Sequence, residues 1–106
     1  MRKAGVFMEN VTIIVNSFDY KAIALRAKQI NKLPAIICFE HPLDFPDKFV
    51  ARLFYLGASI TATKVVVTGD TYDELLRKIY PVIDYLGLNK FVRSVDDDKC
   101  VIETWL

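Results

Sequence analysis

This 106-residue chain is poor in the residue types on which many small functional sites depend. It has one histidine, two cysteines and four glycines. A single imidazole cannot build a metal site with several histidines, two cysteines do not form a disulfide framework, and neither G-x-G-x-x-G nor a P-loop is present. Amide side chains are also scarce, at four Asn and one Gln, which is typical of a thermophilic source.

The charge balance excludes a strongly basic protein. Fourteen Lys and Arg against thirteen Asp and Glu give a net charge of +1, whereas most nucleic-acid binders are markedly basic. The distribution is uneven, because residues 1–36 carry six basic and only two acidic side chains. A local basic face therefore remains open.

Length and hydropathy predict one domain spanning residues 1–106, with 1–10 as a loose arm or edge extension. No apolar run approaches the roughly 20 residues of a membrane span, and the N-terminal residues lack a secretory pattern. Both cysteines, Cys38 and Cys100, lie in apolar, strand-like stretches, which favours reduced thiols. We therefore expect a cytoplasmic protein without membrane partners.

One pattern occurs three times along the chain. A short apolar run ends, polar residues follow, and an amphipathic helix begins. It predicts strands over 11–15, 35–39 and 61–68, with helices over 18–32, 45–57 and 71–86. For 49–56 a strand is the alternative, but its apolar residues do not alternate with polar ones.

The C-terminal part predicts two further strands, over 91–95 and 100–106. Asp96, Asp97 and Asp98 lie between them and indicate a tight acidic turn. The order βαβαβαββ predicts an α/β fold with a mainly parallel sheet, helices packed on it in two or three layers, and an antiparallel C-terminal hairpin. We place the first strand at the centre of that sheet.

The polar residues behind the predicted strands form the first candidate site. Asp19, Glu40, His41 and Asp70 would meet at the carboxyl edge of a parallel sheet, where α/β folds bind ligands. A carboxylate and an imidazole brought together can act as a general acid and base. Helix capping and turn formation are the more common roles of such residues: Ser17 can cap the first predicted helix, and Asp44, Asp70 and Thr71 can act as caps or turn residues.

A second candidate site is basic. Lys21, Lys28 and Lys32 form a row on the first predicted helix, and Arg26 lies near them, so they could contact the phosphates of a nucleic acid. The alternative is a solvated helix face opposite the core.

The third candidate is a dimer interface. Val50 and Phe54 widen the apolar side of the predicted helix 45–57 beyond what one core contact requires, which indicates a second copy of the chain.

These patterns favour a non-catalytic binding or interaction protein that forms a homodimer and contacts an anionic partner such as nucleic acid. The alternative is a small hydrolase or ligand-binding enzyme that uses the carboxyl-edge residues. No spacing of histidine, cysteine and acidic residues indicates a metal, and no motif indicates a cofactor.

Overall fold

The computed structural model describes residues 12–93 and 99–106, which form six strands and two helices. In chain order they are β1 (Ile13–Ile14), α1 (Tyr20–Ile30), β2 (Leu33–Glu40), β3 (Phe49–Leu56), β4 (Ile60–Gly69), α2 (Tyr72–Leu86), β5 (Lys90–Val92) and β6 (Val101–Trp105). The α/β class and the helices expected within 18–32 and 71–86 are confirmed.

The strands form one mixed sheet in the order β1-β4-β3-β2-β6-β5. Within the described part of the chain, β1 and β4 are the one parallel pair, and all other neighbours are antiparallel. The prediction of a mainly parallel sheet with the first strand at its centre is therefore wrong. Strands β2, β3 and β4 follow one another as antiparallel neighbours, which short turns can connect without crossover helices.

Strand β3 replaces the helix that we expected over 45–57. It lies between β2 and β4, and both of its faces are apolar apart from Arg52, so its sequence lacks the alternation of a half-exposed strand. Strand geometry places Leu53 and Tyr55 on one face and Val50 and Phe54 on the other. Val50 is completely buried, so it cannot contact a second molecule in the way that the sequence predicts. Phe54 is half-buried.

Both helices pack on the face of the sheet that carries Leu53 and Tyr55, and they touch each other through the rings of Tyr20 and Tyr85, 4.2 Å apart. The described part of the fold is therefore a two-layer arrangement. The buried side chains of this core are Phe18, Ile23, Ala27, Ile36, Cys38, Ala51, Leu53, Tyr55, Val67, Leu75, Ile79, Val82 and Ile83.

Helix α1 begins two residues later than the sequence predicts. Asp19, rather than Ser17, is the N-cap, and its Oδ1 accepts a hydrogen bond from the backbone N–H of Ala22 at 3.1 Å. The helix ends at Asn31, whose φ of 54° is in the left-handed region that asparagine tolerates.

Helix α2 begins with the capping residues that its sequence indicates. Thr71 Oγ1 accepts a hydrogen bond from the N–H of Glu74 at 3.1 Å. The Glu74 carboxylate reaches one residue further back than in the standard capping box, and accepts from the N–H of Asp70 at 2.7 Å. Pro81 lies on the exposed side of α2, as predicted, where its missing N–H costs least.

The predicted C-terminal hairpin is confirmed as the antiparallel pair β5 and β6. The acidic turn predicted at 96–98 and the arm predicted at 1–10 lie outside the described residues. No helix within 12–93 or 99–106 has the length and hydropathy needed to cross a bilayer.

The strand directions still bring three strand ends to one edge. Strand β3 is antiparallel to both β2 and β4, and β1 is parallel to β4, so β1, β2 and β4 all run the same way. Their C-terminal ends define the carboxyl edge of the sheet.

Candidate ligand pocket

A cavity of about 240 Å³ lies between the first half of α1 and the sheet. Its apolar lining comes from three parts of the chain: Phe18 and Ile23 at the start of α1, Leu53 on β3 and Val65 on β4. Phe18, Ile23 and Leu53 are each only 4% exposed. The cavity is open to solvent on one side, so an apolar group that enters it exchanges water for apolar contact along the buried lining, which is the main source of affinity in small-molecule pockets.

The mouth of this cavity is polar. Ala22 and Arg26 lie on one side of α1, Asp19 is the N-cap of that helix, and Tyr55 belongs to β3. Among the described residues Arg26 has no ion-pair partner, and the hydroxyl of Tyr55 has no hydrogen-bond partner. Two donors from different layers of the fold are thus free to meet a ligand.

Tyr55 is a donor at neutral pH. Burial raises the pKa of its hydroxyl above 10.0, because the phenolate is poorly solvated there, and the positive charge of Arg26 opposes the shift. The opposing effect shows that the guanidinium lies within electrostatic range of the hydroxyl.

Asp19 also lines the mouth, but much of its charge is already balanced. Its carboxylate caps α1 through the N–H of Ala22, and the N-terminal end of the helix dipole carries a partial positive charge. A negative group that enters the mouth finds its opposite charge at Arg26.

Two other depressions are larger, at about 440 and 500 Å³. The first is lined in part by Leu43, which is fully exposed, and the second by Leu33, which is 67% exposed. Apolar groups that enter them remain in contact with water. Of the three, the pocket beneath α1 has the most buried apolar lining among the described residues.

The four predicted catalytic residues do not form one group. Asp19 caps α1 beside the pocket, and Asp70 forms an ion pair with Lys48. Glu40 and His41 lie at the end of β2, on the far side of β3 from β4. In the described ranges, no three His, Cys, Asp or Glu side chains are grouped to hold a metal ion.

His41 has an unusual backbone. Its φ of 48° is in the left-handed region, and its N–H donates to the carbonyl of Lys48 at 2.9 Å. Its ring packs edge-on against Phe49, with centroids 5.1 Å apart. These contacts explain the position of the imidazole as part of the turn between β2 and β3.

The basic residues predicted to bind a partner are divided among three places. Lys21 and Lys28 are exposed on α1, whereas Arg26 lies at the pocket mouth. Lys32 donates to the hydroxyls of Ser59 and Thr61. The Lys32 ammonium thus already has two partners, and binding of nucleic acid through this row stays a prediction.

Cys38 has the character of a core thiol. It is completely buried, and burial raises the pKa of its thiol to about 12. Burial also raises the pKa of the neighbouring Tyr72 hydroxyl. Both groups remain protonated at neutral pH, so neither is a ready nucleophile.

Sequence reasoning missed Leu53, Tyr55 and Val65 as pocket residues. The strand alternative for 49–56 contained the necessary signal, because strand alternation puts Leu53 and Tyr55 on one face. The prediction of a helix over 45–57 obscured this signal, because helix periodicity groups residues of that segment differently.

Comparison with known proteins gives no independent guide to function. No protein-family model matches the chain, and no significant match was found among curated proteins or solved structures.

Proposed function

We propose that this chain is a non-catalytic binding protein that holds a small organic molecule in the pocket beneath α1. The observation that carries this proposal is that a cavity with a buried apolar lining opens beside two donors, Arg26 and Tyr55, that have no partner among the described residues. Binding sites for small molecules have this composition: a mostly apolar lining with a few placed polar groups. The volume sets the scale of the ligand, since a cavity of about 150 Å³ holds benzene. One ring with a short chain fits in about 240 Å³.

The probe that tests this function is 3-phenylpropan-1-ol, which is neutral and has one ring and a three-carbon chain. We expect a Kd on the order of 0.1–1 mM, typical of a ligand with so few atoms. NMR should show shifts of the methyl groups of Ile23, Leu53 and Val65 on titration. Methyl groups elsewhere, such as those of Leu43, should not move.

A matched pair of variants locates the site. Ala22→Leu puts a larger side chain into the pocket mouth and should abolish probe binding, whereas Ala58→Leu, in the turn between β3 and β4, should leave it unchanged. The backbone hydrogen bond from Ala22 to Asp19 does not depend on the Ala22 side chain, so α1 should remain capped. If the probe binds Ala22→Leu as tightly as wild type, or does not bind wild type at all, the proposal is wrong.

Self-association is a second candidate, and a different surface supports it. Leu33, Leu56 and Ile60 lie opposite one another on β2, β3 and β4, in one row across the sheet. Leu33 and Ile60 are 67% and 71% exposed, and strand alternation places the row on the same face as Phe54. Exposed aliphatic side chains that touch across strands form the kind of patch that protein interfaces cover. A second copy of the chain offers a matching patch.

A further inference from the structure

The side chains at the mouth of the pocket beneath α1 also indicate the charge of its ligand. Resting on the proposed function, we infer that the ligand is a small organic acid, with an apolar or aromatic body in the cavity and a carboxylate at the mouth between Arg26 and Tyr55.

Arg26 supplies the positive charge at the mouth. It makes no ion pair within the described part of the chain; the same is true of the exposed Lys21 and Lys28, but of these three Arg26 is the one that lines this pocket. A guanidinium offers paired donors that match the two oxygens of a carboxylate.

The neighbouring hydroxyl adds a second donor. Tyr55 is only 5% exposed, and its hydroxyl has no hydrogen-bond partner among the described residues. The hydroxyl oxygen keeps some contact with water, so an incoming acceptor replaces that water as its partner. A carboxylate oxygen is an acceptor, whereas an ammonium group is not.

Asp19 is the acidic group at the same mouth, and its Oδ1 is engaged by the N–H of Ala22 at the positive end of α1. Arg26 has no partner of this kind among the described residues, so it is the charged group at the mouth that is open to a ligand of opposite charge. A cationic ligand would be repelled by the Arg26 guanidinium, and it has no acceptor for the proton of the Tyr55 hydroxyl.

Three compounds of the same size and shape test the inference: 3-phenylpropanoate, 3-phenylpropan-1-ol and 3-phenylpropylamine. We expect wild type to bind the carboxylate about tenfold more tightly than the alcohol, and the amine most weakly, because hydrogen bonds between charged groups are stronger than neutral ones. The preference for the carboxylate should shrink as salt is raised.

Arg26→Gln should lose most of the preference for the carboxylate, while Tyr55→Phe should lose a smaller part of it. Lys28→Gln, on the other flank of α1, is the matched control and should retain it. Circular dichroism of each variant checks that helix content is unchanged. If wild type binds the alcohol and the carboxylate equally, or Arg26→Gln keeps the preference, the inference is wrong and the pocket function stands. If wild type binds none of the three compounds, both the proposed function and the inference about the ligand's charge are wrong.

Discussion

Lys48 and Asp70 form an ion pair that links the residue before β3 to the residue after β4. The two strands are antiparallel neighbours with Phe49 opposite Gly69, so their adjoining ends are brought side by side. Asp70, a candidate catalytic residue in the sequence, thus contributes to the sheet edge. The hydrogen bond and charge of Lys48 lower the pKa of the Asp70 carboxyl below 3.8, and Asp70 raises that of Lys48 above 10.5.

The first prediction concerns this pair. In wild type, Asp70 should titrate below 3.8, and Lys48→Met should move its pKa back towards that value; carboxyl NMR measures both. Because the folded pKa is depressed, the stabilisation is complete above the unfolded pKa and is lost as pH falls through the folded one. For Lys48 the loss comes as pH rises above 10.5. Lys64→Met is the control and should leave the pKa of Asp70 unchanged. A wild-type Asp70 pKa that is not below 3.8 would contradict the ion pair with Lys48.

The second prediction compares two leucines of opposite exposure. Leu75 of α2 is completely buried against the sheet, whereas Leu43 is fully exposed. Leu75→Ala leaves a cavity and should lower the free energy of unfolding by about 2–5 kcal/mol, while Leu43→Ala should change it by less than about 0.5 kcal/mol. Urea denaturation followed by circular dichroism measures both. Equal effects would mean that α2 does not pack on the sheet as described.

The third prediction concerns thiol reactivity. Cys38 should resist iodoacetamide in the folded protein at pH 8, because it is inaccessible and its thiol has a pKa of about 12. In urea the same residue should react readily. Mass spectrometry of peptides assigns the label to Cys38 or Cys100. Rapid labelling of Cys38 in the folded protein would contradict its burial.

The fourth prediction tests self-association. Light scattering at about 100 μM, above the Kd of typical dimers, should report a dimer. Leu33→Glu combined with Ile60→Glu should give a folded monomer, and Phe54→Glu should weaken the dimer because it lies beside the same row. Leu25→Glu is the control, since Leu25 is 59% exposed but lies on α1, away from this face. A wild-type monomer at that concentration would rule out this interface.

Local signals in the sequence identified both helices of the described chain. The Thr71 and Glu74 caps and the apolar spacing of Leu75, Ile79 and Val82 depend on residues three or four apart, so they can be read without knowing the fold. The carboxyl edge was also located correctly, although for the wrong reason. Strands β2 and β4 run the same way because β3 lies antiparallel between them, not because they pair with each other.

The sequence alone determined the α/β class, the two helices and the final hairpin. Tertiary structure decided the identity of β3, the mixed sheet and the pocket beneath α1. The physical reason is the range of the interactions. Helix caps and helix periodicity are satisfied within a few residues, whereas β3 is stabilised by hydrogen bonds to two other strands and by apolar cover on both faces, which hides its alternation. Tyr55 and Arg26 meet only because that strand lies beneath α1.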